Sequence, residues 1–381
     1  MSSPLSRRDF VGRGAAAAAA LAGTGSLFAL PPLADGETLV PFLTPQEISA
    51  ERPMVQWDQL TSWITPTKEF FFVGHYGYPE TKAEGWTLDV SGFVQKPRTF
   101  TLDELKKRPR REYTATLECS GNGVSAGFLG GIGNAKWGGT LLAPLLKECG
   151  VKPEGIEVVF FGKDSGTEKL RGAEYVQNFG RSLTVAEAMK DNVLLAWEMN
   201  GETLDNKHGG PLRLIVPGWY GVAWTKWMDR IEVHDRRFES RFMGRDYVTI
   251  RGEKRGDQTI WRELSVGKMN LKSIVARVTR RQDGTLTITG ATWNDGTPLK
   301  SVELKIDDGP WVATRLTEGI KADHCWKFFT HEWKNAAPGE HTLVSRATDA
   351  KGTQPAADDQ LIALKKTYWE ANQQYARKIK L

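Results

Sequence analysis

The stretch LECSGNG, Leu117–Gly123, sets one sulfur at the end of an extended run and the start of a glycine turn. The residues after Cys119 are Ser120, Gly121, Asn122 and Gly123. They build no apolar wall around a thiol, and they let backbone approach something large. Three roles suit such a cysteine. It is a small buried hydrophobe, an acyl-transfer nucleophile that needs an imidazole and an oxyanion hole, or a thiolate ligand. The third role suits a high-valent metal whose other ligands come from a bulky cofactor. Sequence alone pairs Cys119 with none of His75, His208 or His234. A second cluster lies between Asn200 and Trp227: His208, Gly209, Gly210 and Arg213, then Pro217, Gly218, Gly221 and Lys226. Arginine and lysine hold a phosphate, and glycines admit backbone N–H groups to it. The plain alternative is a solvated loop between two core strands. Together the two segments read as the grip on one large anionic cofactor.

The rest of the chain narrows the carriers. Its 381 residues make two domains or one large one, and 40% hydrophobic content with 14 tryptophans supports a substantial core. A net charge of +5, with both signs mixed along the chain, shows no basic stripe for nucleic acid. The cysteines are Cys119, Cys149 and Cys325. They form no C-x-x-C, no C-x-x-C-H and no disulfide framework. No G-x-G-x-x-G follows a strand-like run, so electrons need a carrier other than a covalent haem or a nicotinamide. Residues 1–34 read as a twin-arginine export signal. Arg7 and Arg8 precede an alanine-rich run, Ala15 to Leu30, too short and too poor in large side chains to span a membrane. That route exports folded protein, so a cofactor inserted in the cytoplasm and a periplasmic location are expected, without stable membrane insertion.

These residues need elements to hold them. Thr101 and Glu104 predict a capped short helix in TLDELKK. LLAPLLKECG predicts an amphipathic helix ended by Gly150, and TVAEAMK a third helix. WTLDV, EYTATLEC, IEVVFFG, VLLAWEM and PLRLIV read as strands. The expectation is a mixed, irregular α+β domain over residues 35–255. The tail, 256–381, shows strand runs separated by Asp-Gly and Pro-Gly turns, as in an immunoglobulin-like β-sandwich. The stretch Thr249–Lys268, glycine-rich and charged, reads as the linker.

LECSGNG, LLAWEMNGETLDNKHGGPLRLIVPGWYGVAWTKW and GRDY, with ITGATW, VELKIDDGPW and LVSRATDAKGTQP in the tail, resemble the sulfite oxidase family of molybdenum enzymes. The resemblance covers nearly the whole chain beyond the export segment. It implies a molybdenum domain followed by a β-sandwich dimerisation domain, and a homodimer. The cofactor it implies is molybdenum–molybdopterin, a pyranopterin that binds the metal through a dithiolene, with Cys119 as the protein's metal ligand. Phe72, His75, Asp164, His208, Arg213, Gly218, Gly221 and Lys226 match cofactor contacts. Tyr247 and Trp137 match residues of the substrate pocket. The implied reaction is oxidation of sulfite, or a related small sulfur oxyanion, to sulfate. Electrons would pass singly to an external c-type cytochrome.

Two departures weigh on the substrate. Gly74 and Val124 stand where sulfite-oxidising members carry arginines, and bidentate guanidinium–oxyanion contacts supply both charge and orientation. A less cationic pocket suits the alternatives: a sulfane-sulfur dehydrogenase subunit, or an S-oxide or nitrate reductase on the same cofactor. A non-catalytic scaffold is a further alternative, opposed by the retained Cys119, His208, Arg213, Lys226 and Tyr247. Arg171 reads as a surface residue.

Overall fold

The computed structural model describes residues 33, 35–46, 53–124, 128–316, 322–357, 367 and 369–381. The expected export signal, Leu33 apart, lies outside them. In chain order the strands begin β1 (Thr38–Leu39), β2 (Thr87–Gly92), β3 (Arg98–Thr101), β4 (Arg110–Glu118), β5 (Ile132–Leu141), β6 (Glu157–Leu170) and β7 (Ala173–Thr184). Then come β8 (Leu194–Met199), β9 (Glu202–Thr203), β10 (Arg213–Ile215), β11 (Met228–His234), β12 (Val248–Arg255) and β13 (Gln258–Ser265). The tail holds β14 (Lys272–Arg280), β15 (Leu286–Trp293), β16 (Leu299–Ile306), β17 (Val312–Ala313) and β18 (Arg315–Leu316). It ends with β19 (Lys327–Trp333), β20 (Glu340–Asp349) and β21 (Ala376–Lys380). The α-helices are α1 (Leu102–Lys106), α2 (Leu142–Cys149) and α3 (Val185–Ala188).

Local chemistry sets these limits. Glu104 N–H donates to Thr101 Oγ1 at 3.2 Å and Thr101 N–H donates to the Glu104 carboxylate at 2.7 Å, a reciprocal cap that starts α1. Gly150 ends α2 in the left-handed region, φ 69°. With α-helices of only 5, 8 and 4 residues, the described chain is mostly β rather than the mixed α+β expected. The difference lies in strands without an alternating signature. IGNAKWGGTL forms β5, threaded between β4 and β8. A side chain at Gly139 would place its Cβ 2.0 Å from the Leu195 carbonyl oxygen, so the strand contact itself demands glycine.

Two sheets make the first unit. One runs β10-β8-β5-β4, and the other β3-β2-β11-β6-β7. Their apolar faces share a core that includes Leu88, Phe100, Leu146, Phe160, Leu195 and Ile231. The tail strands, with β1 from near the start of the chain added at one edge, form two further antiparallel sheets, β1-β14-β15-β19-β18 and β17-β16-β20-β21. Val275, Val278 and Ile288 of one meet Leu304, Leu343 and Ile379 of the other. The stretch expected as a linker is instead a hairpin: β12 and β13 pair over their full length, Val248 with Ser265 through Arg255 with Gln258. Its charged residues obscure the alternation because both faces of the ribbon are largely exposed. The boundary expected at 255/256 falls at the tip of this hairpin.

The two units are joined by a buried ion pair. Lys272 Nζ of β14 donates to Glu118 of β4 at 2.5 Å, with both side chains fully buried. Glu118 also accepts from Trp293 Nε1 at 2.8 Å and Asn122 Nδ2 at 3.0 Å. Lys272 donates further to the Asn122 carbonyl at 2.9 Å. Lys272 thus has two oxygen acceptors and each Glu118 oxygen at least one donor, the pairing a buried charge needs.

Candidate active site

Strand β4 ends by delivering Cys119 into a cavity. Cys119 N–H donates to the Gly131 carbonyl at 2.8 Å, and Asn122 N–H closes a turn onto the Cys119 carbonyl at 2.9 Å. The Asn122 side chain accepts from Gly131 N–H at 3.0 Å, pinning the far side of the loop. Cys119 stays partly exposed toward the cavity. Its surroundings desolvate it and push the thiol pKa up. Without a cation against it the group is a thiol; a bound metal would make it a thiolate.

The opposite wall is cationic. Arg213 is buried, donates to the His208 carbonyl at 2.7 Å and the Trp224 carbonyl at 3.2 Å, and forms no ion pair with a carboxylate among the described residues. Burial drags its pKa down to about 9. Lys226 lies over the Trp227 ring at 3.8 Å. Burial, and then the charge of Arg213, lower it to about 7. A side chain at Gly209, φ 100°, would drive its Cβ to 2.6 Å from the Lys226 chain, so glycine there lets the lysine pass. Asp164 faces the same space, its pKa raised by burial to about 6 although Lys226 pulls it down. A buried arginine that lowers the pKa of a neighbouring buried lysine is the electrostatic signature of an anion site.

His208 also lines the cavity, but both ring nitrogens are engaged within the protein. Nδ1 meets the Asp205 carboxylate at 2.8 Å and Nε2 faces the Phe70 carbonyl at 3.1 Å. The third side is aromatic. His75 Nε2 and Tyr247 Oη lie 2.6 Å apart. Phe179 and Phe242 flank the imidazole at 5.3 and 4.8 Å between ring centres. Burial first, then Lys226 and Arg241, lower His75 to about 4, so the ring is neutral at physiological pH. Tyr247 follows a π-helical turn, Arg241–Arg245, a geometry that often marks functional positions.

The structure therefore brings Phe72, His75, Cys119, Asp164, His208, Arg213, Gly221, Lys226 and Tyr247 to one cavity. Two expected residues stand elsewhere. Trp137 is fully buried behind the wall, with Arg213 stacked on it at 4.9 Å, so it supports a cation rather than lining the pocket. Gly218 packs against the Asp295 carbonyl and His324 of the tail, not the cavity. Gly221 lies against Leu117 and the Glu118 carbonyl, at the cysteine end rather than a phosphate end. Val124 is 47% exposed and outside the lining. Arg171 sits at the turn between β6 and β7, φ 51°. Sequence reasoning missed Ser120, Phe179 and Lys207 as lining residues. Lys207 stood beside His208 in DNKHGG and was legible as a further cation; Phe179 carried no signal.

Residues 75–242 match the family described as oxidoreductase molybdopterin binding domain. Sulfite oxidase of Gallus gallus is 31% identical over 333 residues, covering 80% of this chain and 69% of that protein. The chain belongs to the sulfite oxidase family of molybdenum oxidoreductases. Within that family, mitochondrial sulfite oxidase of Drosophila melanogaster is 31% identical over 301 residues, 70% of this chain and 50% of that protein. Nitrate reductase [NADH] 1 of Phaseolus vulgaris is 28% identical over 347 residues, 81% of this chain and 39% of that protein. The chain thus spans half or less of the length of these two relatives. The crystal structure of the sulfane dehydrogenase SoxCD from Paracoccus pantotrophus superposes with TM-score 0.72 and 27% identity, covering 91% of this chain and 90% of that one.

The cofactor of this sulfite oxidase family member is molybdenum–molybdopterin, and the residues present fit it. Arg213 Nε and Ser120 Oγ are buried at the cavity with no hydrogen-bond partner among the described residues. They supply orphaned donors beside a soft sulfur and a cationic cradle, the donor set that an anionic pterin phosphate and a thiophilic metal require.

Proposed function

We propose that this chain oxidises a sulfur compound at molybdenum, removing two electrons per turn. The observation that carries the reading is the convergence of Cys119, the Arg213–Lys226 cradle and the His75–Tyr247 pair on one cavity. The cofactor, when bound, supplies the two-electron couple and the oxygen-atom transfer. Cys119 is its protein ligand. Arg213 and Lys226 hold its anionic end, and Asp164 meets the pterin. With His75 in its Nε2–H tautomer the ring donates to Tyr247 Oη across 2.6 Å, which leaves the phenol O–H free to donate to charge that develops on the substrate. For sulfite the balance is sulfite plus water to sulfate, two protons and two electrons. An external c-type cytochrome takes the electrons singly.

A second reading concerns the substrate. His75 is neutral, and aromatic rings make up much of the wall around it. Gly74 brings no guanidinium to this wall, and Arg213 is the arginine among the described residues that line the cavity. Such a surface favours sulfane sulfur over a free dianion, in keeping with the likeness to a sulfane dehydrogenase. Steady-state oxidation of sulfite and of glutathione persulfide, each with cytochrome c and with ferricyanide, separates the two. Persulfide turnover with weak sulfite saturation supports the second reading. A micromolar KM for sulfite refutes it and leaves the first. Turnover of neither, with nitrate reduced by a viologen dye, contradicts both.

The reading extends to architecture. A molybdenum domain over 35–255 and an immunoglobulin-like tail over 256–381 would pair two chains about a twofold axis. Export of the folded protein through the segment 1–34 would place it in the periplasm. Light scattering at micromolar concentration checks the pairing, and a mass of one chain across that range rejects it.

A further inference from the structure

A residue from the far end of the chain packs against the Tyr247 side of the site. The Trp369 indole stacks on the Tyr247 ring, centres 4.4 Å apart and planes 21° from parallel. The same indole lies 3.5 Å from where a side chain at Gly121 would begin, and that point is 3.9 Å from Cys119 Sγ. One ring thus stacks on the phenol that meets His75 and faces the Gly121 turn beside the cysteine.

The next residue anchors it. Glu370 takes φ 57°, a left-handed conformation that non-glycine residues hold only when their surroundings enforce it. Those surroundings are explicit. Glu370 N–H donates to the Ser120 carbonyl at 2.7 Å. Its buried carboxylate accepts from Thr249 Oγ1 at 2.8 Å, Arg251 at 2.7 Å and Gly267 N–H at 3.2 Å. Its carbonyl accepts from Asn270 Nδ2 at 3.0 Å. A segment that merely filled space would not need a strained residue fixed by five hydrogen bonds. The bonds run to the Cys119 loop, to the strand that follows Tyr247 and to the stretch before β14, so the anchor registers three parts of the chain against one another.

We infer that Trp369, carried by the Glu370 anchor, is a positioning residue of the site. It fixes the plane of the Tyr247 phenol so that Oη meets His75, and it holds the Gly121 backbone down beside Cys119. The inference rests on the reading of Tyr247 and Cys119 as site residues. It goes beyond that reading in making the C-terminal segment part of the site. Trp369 acts through Tyr247 and the loop rather than on substrate.

Hydrogen–deuterium exchange on the purified full-length protein, with Trp369→Ala and Trp369→Phe, tests it. An aromatic stack accounts for a local opening equilibrium about three- to tenfold smaller. Trp369→Ala should therefore speed exchange in 119–124 and 247–250 by that factor, while the β14–β15 ladder keeps its rate. Trp369→Phe, which retains a stacked ring, should stay within about twofold of wild type. Wild-type rates in Trp369→Ala, or an equal rise throughout the chain, overturn the inference. This arm is decided whether or not the molybdenum reading holds. With the compound that the wild type oxidises, Trp369→Ala should lower kcat with KM little changed, and Trp369→Phe should restore kcat. An unchanged kcat in Trp369→Ala also overturns it.

Discussion

Replacing Lys272 by methionine would strip the cation from a carboxylate that water does not reach. Glu118 and Lys272 are both fully buried, 2.5 Å apart. After the change Glu118 keeps two neutral donors, Trp293 Nε1 and Asn122 Nδ2, and the Asn122 carbonyl loses its donor. Breaking a buried pair from one side costs about 3–5 kcal/mol, because the remaining charge is left uncompensated. The double variant Glu118→Gln/Lys272→Met should recover about 2 kcal/mol or more of that loss. It leaves no buried charge, although its amide NH2 must face one of the two donors, Trp293 Nε1 or Asn122 Nδ2, that the carboxylate accepted from. Urea denaturation followed by both circular dichroism and tryptophan fluorescence measures all three proteins, with coincident transitions justifying the comparison. A loss below about 1 kcal/mol for Lys272→Met, or a double variant less stable than the single, would refute the reasoning. The pair also braces the residue before Cys119, so cofactor retention should fall in parallel with stability.

Val124→Arg should leave KM for sulfite within about twofold of wild type, since residue 124 points to the surface outside the cavity; a tenfold drop in steady-state KM would place it in the pocket. Gly74→Arg should destabilise the fold, because its Cβ would sit 2.5 Å from the Gly77 carbonyl oxygen; a melting temperature equal to wild type contradicts this. His75 gives a pH signature. Its folded pKa of about 4 lies below its ordinary 6.5, so the unfolded chain takes up a proton that the folded chain refuses. Stability should therefore fall as pH drops from 6.5 to 4, and His75→Gln should flatten that part of the profile in urea titrations. An unaltered slope in the variant would show that His75 is not the group responsible.

What could be read from the amino-acid order was local. The α1 cap, the Gly150 stop and the Asp283–Gly284 turn between β14 and β15 each follow from a few adjacent residues. Cys119, Arg213 and Lys226 stood out because a sulfur, a guanidinium and a lysine close to glycine turns have few structural uses in such company. Relations across distance were silent. Glu118 and Lys272 lie 154 positions apart, and Lys272 begins a run, KSIVARV, that reads as an ordinary strand. Trp137 matched a pocket residue by motif, yet its side chain lies on the core side of Arg213. Trp369 falls in an apparently featureless tail, and only the folded chain lays it on Tyr247. The β12–β13 hairpin escaped notice because a ribbon exposed on both faces lacks the apolar alternation that marks a half-buried strand.

The central claim is that Cys119 is the protein's ligand to molybdenum. X-ray absorption at the molybdenum edge, on wild type and Cys119→Ser isolated under the same conditions, tests it most directly. The account predicts that the variant loses one sulfur scatterer from the metal's shell, gains a lighter one or none, and loses activity while keeping its fold by circular dichroism. An identical sulfur shell in the two proteins would contradict it.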